Sequence, residues 1–185
     1  RSDLKLFVAY GMLSEPKFYD KAIKFSLFKN TEGKYFTWDE YGKVIKENQT
    51  DKDKKLICLY TTDTEAQYSF IEAAKSKGYD VLVLDSQLDS HLINHLESKF
   101  ENTQFVRVDA DVVDKLIKKD DGAESKLTNS QESKLSKVFQ SQLPQGANYI
   151  VMFEPMSADA NPALITQSEF MRRMKEMTMA GGGGI

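Results

Sequence analysis

Three short apolar runs, Leu56–Tyr60, Val81–Leu84 and Phe105–Val108, are separated by two segments of helix length. An unbroken apolar run of this size suits a strand covered on both faces, as parallel strands are. Two consecutive strand–helix–strand units imply a parallel sheet with right-handed crossovers. The punctuation between the runs agrees. Thr62-Asp63-Thr64-Glu65 reads as a cap opening a helix to Lys77, and Gly78 supplies the left-handed residue that ends it. A second helix is expected from Leu88 to Phe100.

The flanking segments read less regularly. Residues 4–13 predict a helix, and Ser14 with Pro16 opens another through Phe18, Tyr19, Ala22 and Ile23. Phe25–Phe28 is either a short strand or the end of that helix, and Asn30–Gly33 is a turn. Thr37-Trp38-Asp39-Glu40 is a capping box for a helix to about Asn48. Past the third strand, residues 120–131 turn polar and read as a linker, leading into a helix over 128–143. Tyr149–Phe153 and Ala163–Ile165 are expected strands, and Thr166-Gln167-Ser168-Glu169 is a capping box for the last helix. The expected organisation is a small αβα unit over 1–119, a linker and connecting helix over 120–145, and the start of an α+β domain over 146–185. A strand pair with one helix cannot bury a core alone, so that last piece reads as truncated. Arg1-Ser2-Asp3 leading straight into an apolar run, and Gly181–Gly184 before Ile185, make both ends read as cut. The fold class expected is α/β: a small parallel sheet with flanking helices, then a partial α+β domain.

Charge and cysteine content narrow the partners. The 25 basic and 28 acidic residues give a formal charge of -3 and alternate along the chain. Nucleic-acid binding needs Lys and Arg gathered on one face, so none is expected. No apolar stretch is long enough to cross a bilayer. The single cysteine, Cys58, lies inside the first strand run and has no internal disulfide partner; a reducing, cytoplasmic setting follows.

Candidate chemistry is sparse. His91 and His95 have metal-ligand spacing, but Leu92 stands where a zinc protease needs Glu, and the chain has no other His. Asp85 ends a buried strand, as the phospho-acceptor of a receiver domain does, which gives an alternative reading as a receiver-like or small-ligand domain. The strand before it ends in Tyr60-Thr61-Thr62, without the acidic pair a Mg²⁺ ion requires. Asp109, Asp111 and Asp114 fit the negative first turn of a helix. No catalytic residue, cofactor-binding residue or metal site is expected. The last helix stands apart: Phe170, Met171, Met174, Met177 and Met179 alternate with Arg172, Arg173 and Lys175. Methionine is favoured where one surface meets varied apolar partners, and the same pattern also fits a core face.

The order of Thr37-Trp38-Asp39-Glu40-Tyr41, Lys55–Tyr60, Lys77–Leu84, Leu88–Leu92, Phe105–Val108, Asn161–Thr166 and Phe170–Met174 resembles the ninety-kilodalton heat shock chaperone family. It resembles the end of that family's middle domain and the start of its C-terminal domain, over nearly the whole chain. The resemblance implies a dimeric, ATP-dependent cytosolic parent, with ATP and Mg²⁺ held outside these residues and unfolded or partly folded client proteins as partners. It also implies client contacts. The family's Asp-Glu-aromatic stands here as Asp89-Ser90-His91, putting one contact at His91 and Leu92. The methionine-bearing helix puts the other at Phe170, Met171, Met174 and Met177.

Overall fold

A computed structural model describes residues 2–119, 125–144, 146, 149–156 and 162–180, at 2, 3, 177, 179 and 180 for the main chain alone. The elements are α1 Ser2–Ser14, α2 Pro16–Ala22, β1 Phe28–Lys29, β2 Tyr35–Phe36, α3 Trp38–Ile45, β3 Leu56–Thr61, α4 Tyr68–Ser76, β4 Val81–Val83, α5 Asp89–Lys99, β5 Thr103–Arg107, α6 Val113–Leu116, α7 Asn129–Gln142 and α8 Glu169–Ala180. They form two compact units: Arg1–Asp120 with Ala163–Ile185, and Asp121–Pro162. Residues 146–185 therefore do not form one piece, because the last helix belongs with the αβα unit. Residues 120–124 of the expected linker, and the glycine run at 181–184, lie outside the described residues.

In the first unit the apolar runs form a parallel sheet in the order β4-β3-β5, with Leu59 opposite Val81 and Cys58 opposite Phe105. Alternation along β3 sorts the core into two sides. Ile57 and Leu59 pack with Ile71 and Ala74 of α4, and with Leu116 and Ile117. Cys58 and Tyr60 pack with Met12, Tyr19, Tyr41, Ile45, Ile93 and Leu96 from α1, α2, α3 and α5. The result is helix–sheet–helix layering around a central strand. On the second side Trp38 stacks on Phe100 at 4.2 Å and on Phe105 at 5.5 Å between ring centroids.

Local details differ from expectation where side chains find other partners. Phe28–Lys29 is a strand, and its partner Tyr35–Phe36 makes an antiparallel hairpin that the sequence reading did not contain. The α2 cap is Glu15, not Ser14, with its carboxylate accepting from the Lys17 amide. Helix α4 begins only at Tyr68. The Asp63 carboxylate accepts from the Glu65 and Ala66 amides, and the Gln67 carboxamide accepts from the Thr61 hydroxyl and Thr62 amide, so a turn occupies the expected first helical turn. The outer edge of β4 is closed by the hairpin's main chain: the Thr31 amide donates to the Val81 carbonyl at 2.9 Å, and Asn30 bridges Leu82.

The second unit holds α7, opened by a capping box of Thr128 and Gln131. Among its described residues 149–156 there is no strand; instead Phe153 meets Phe139 of α7 at 6.2 Å. The expected strand at 163–165 is absent as well. Tyr, Ile and Val favour strands only where a neighbouring strand offers hydrogen bonds and a face to pack on, and neither segment pairs with one.

A candidate client-contact helix docked by its charged face

Strand β5 is the other edge of the sheet, and its outward main-chain groups need partners. Side chains provide them. The Phe105 amide donates to the Glu97 carboxylate at 2.6 Å, the Phe105 carbonyl accepts from the Arg173 guanidinium at 2.7 Å, and the Arg107 amide donates to the Glu169 carboxylate at 3.0 Å. Helix α8 supplies two of the three, and the turn before it adds one more contact: the Gln167 amide donates to the Asp109 carbonyl at 2.9 Å.

Positions 169, 172, 173 and 176 share one face of a helix by their spacing, and here that face is Glu-Arg-Arg-Glu. Arg173 donates to Glu97 at 2.6 Å, Asn94 at 2.9 Å and Glu169 at 2.6 Å. Arg172, only 3% exposed, donates to the Tyr60 hydroxyl, to Glu169 and, at 2.6 Å, to Glu176. Glu176 in turn accepts from the Ser90 hydroxyl at 2.6 Å. Burial alone would lower both arginine pKa values, but Tyr60, Glu169 and Glu176 around Arg172, and Glu97 and Glu169 around Arg173, more than offset it and both guanidinium groups are held charged. Burial, with Glu169 adding to it, pushes the Tyr60 phenol up. Burial would raise Glu176, yet Ser90 and Arg172 hold it below the ordinary range. Neither core cluster contains any of the described side chains of α8.

The consequence is inverted amphipathicity. Amphipathic helices ordinarily turn their apolar stripe to the core; α8 turns its charged stripe inward and leaves Phe170 69%, Met171 63% and Met174 52% exposed. The sequence profile of the Hsp90 protein family matches residues 5–180. The chain belongs to the Hsp90 family. Similar curated relatives are the chaperone proteins HtpG of Bacteroides fragilis, 50% identical over 184 residues, and of Porphyromonas gingivalis, 46% identical over 182. These alignments cover 98% and 97% of this chain, which spans 27% of the length of each relative. A solved structure, the middle domain of a Plasmodium falciparum heat shock protein, aligns at 18% identity and a TM-score of 0.42, over 55% of this chain and 43% of that one.

Within this Hsp90-family chain the sequence-predicted contacts fall close together in part. Phe170, Met171 and Met174 lie on one exposed flank of α8, and Met177 follows in the same helix with only its main chain described. His91 is exposed near the start of α5, next to the Ser90 that bonds Glu176 of α8. Leu92 is half-buried against the core instead of standing free. The sequence reading missed Glu97, Glu169, Arg172 and Arg173, although the Glu-Arg-Arg-Glu spacing was visible as a charged stripe. The expected capping role of Glu169 gives way to its bonds with Tyr60 and Arg107.

The other candidates are occupied structurally. Asp85 is exposed and paired with Lys5 at 3.1 Å, while the nearby Asp89 is buried and accepts from the Ser86 amide at 2.8 Å. Asp109 pairs with Arg107, and Asp114 with Lys77. His95 sits edge-on to Tyr19 at 4.7 Å. Among the described residues no three His, Cys, Asp or Glu side chains gather as a metal site, and no helix is long and apolar enough to cross a membrane.

Proposed function

We propose that this part of the chaperone is a client-contact and scaffold module that does no chemistry itself. The observation carrying the proposal is that α8 docks through its charged face, so Phe170, Met171 and Met174 are presented to solvent on the docked helix. Flexible methionine side chains beside an aromatic ring suit unfolded segments of varied sequence. Met177 extends the same helix, and His91, with the accessible part of Leu92, adds a neighbouring contact. In the whole protein the module serves an ATP-dependent, homodimeric, cytoplasmic chaperone, with ATP and Mg²⁺ bound elsewhere and unfolded or partly folded proteins as partners. It takes no nucleic acid and does not enter membranes.

The test is the variant Phe170→Ser/Met171→Ser/Met174→Ser. Exposed substitutions change stability by about 0.5 kcal/mol or less, so urea melts should superimpose on the parent while affinity for a reduced, unfolded model protein falls at least about tenfold. A strong loss of stability with unaltered affinity would overturn the reading.

A further inference from the structure

We propose that α8 is a latch over the β5 edge, held by an ionic clasp of Glu97, Glu169, Arg172 and Arg173, and that it can open without unfolding the αβα core. Three observations converge on this. First, the hydrogen bonds and ion pairs that tie the described side chains of α8 down run to Tyr60, the Phe105 carbonyl and the Arg107 amide in the sheet and to Ser90, Asn94 and Glu97 on α5, and no described α8 side chain enters a core cluster. Apolar burial is the term that makes elements of a domain stand or fall together, and the described apolar side chains of α8, Phe170, Met171 and Met174, are all exposed. Second, the clasp is closed on itself, since Glu169 binds both arginines and Arg173 binds both Glu97 and Glu169. Removing one member leaves a buried charge unpaired, which costs far more than the net worth of the pair. Loss of one residue should therefore release the whole helix. Third, the groups that α8 covers are the outward amide of Arg107 and carbonyl of Phe105, the hydrogen-bonding row by which an edge strand accepts another strand. Opening the latch turns a closed edge into an accepting one and frees the helix to rotate its apolar flank.

This inference is independent of whether the flank binds clients, and its test reads docking alone. Amide hydrogen exchange is measured on the 185-residue chain for Arg107 and for residues 170–176, in the parent, Arg173→Gln, Glu97→Gln and the double variant. The expected result is exchange at Arg107 faster by at least about tenfold in each single variant, with the double no faster than the worse single, because either change already opens the same clasp. Amides of β3 should keep the parent's protection, and the near-ultraviolet signal of Trp38, stacked on Phe105, should persist. Unchanged exchange at Arg107 would overturn the latch. So would loss of β3 protection together with the Trp38 signal, because α8 would then be integral to the core.

Discussion

The two edges of the central sheet are closed by opposite means. At β4 another stretch of main chain does it, through Thr31 and Asn30, and the hairpin carrying them is pinned by Phe28, a buried member of the core. At β5 charged side chains of α5 and α8 do it, and no described side chain of α8 belongs to either core cluster. A main-chain closure with an apolar anchor shares the cooperativity of the core. A side-chain closure made of ion pairs can come and go while the core stands, which is where low-stability, functional elements are drawn from.

The largest expected effect lies at the anchored edge. Phe28→Ala should cost roughly 3–5 kcal/mol in urea unfolding, the range for truncating a buried aromatic ring; a loss confined to the hairpin would erase the contrast. Asn30→Ala comes next, at about 1–3 kcal/mol. It removes the donor to Asp80 at 2.8 Å and the acceptor for the Glu32 and Lys34 amides.

Acid should then separate the edges. Burial raises the Asp80 carboxyl, against the lowering effects of Asn30, Tyr41 and Lys34, with Glu32 adding to the rise. A raised folded value means its stabilising contribution is complete below the unfolded value of about 3.9 and is lost as pH rises through the folded one. Glu176 runs the other way: with its value held down by Ser90, Arg172 and Arg107, its contribution is present above about 4.3 and lost as pH falls through the lowered value. Exchange corrected for its intrinsic pH dependence should therefore quicken at Arg107 below about pH 4, while Thr31 stays protected. Equal loss at both amides would break the comparison. The smallest effect belongs to Glu32→Gln, which removes an exposed pair with Lys34 at 2.8 Å in the hairpin turn. No measurable shift of the urea midpoint is expected, since exposed ion pairs add little.

The sheet was legible because β3 and β4 are buried on both faces, so their apolar runs carry the signal without needing alternation. The capping box at Thr37 and Glu40 was legible for a local reason: both partners lie within one turn. What depended on distant partners was not. The Tyr35–Phe36 strand is two residues long and exists only because Phe28 and Lys29 lie opposite. Tyr149–Phe153 has strand composition, yet packs on α7 with no strand beside it. In α8 the methionines were seen as a contact surface, but the charged side that docks was not, because its deciding partners, Glu97 and Phe105, sit some seventy residues away.

Cys58, fully buried in the central strand with its thiol pushed well above the ordinary value by burial, turns the molecule into its own stopwatch. A thiol reagent needs an exposed thiolate, so alkylation of this residue records only the rare occasions when the whole sheet comes apart. Because the chain has no second thiol, a cysteine placed at an exposed α8 position such as Met171 would be labelled at once and could be followed separately. Two reagents of different mass, added in sequence to one sample, would then mark every chain at the exposed site and time global opening at Cys58 on the same molecules.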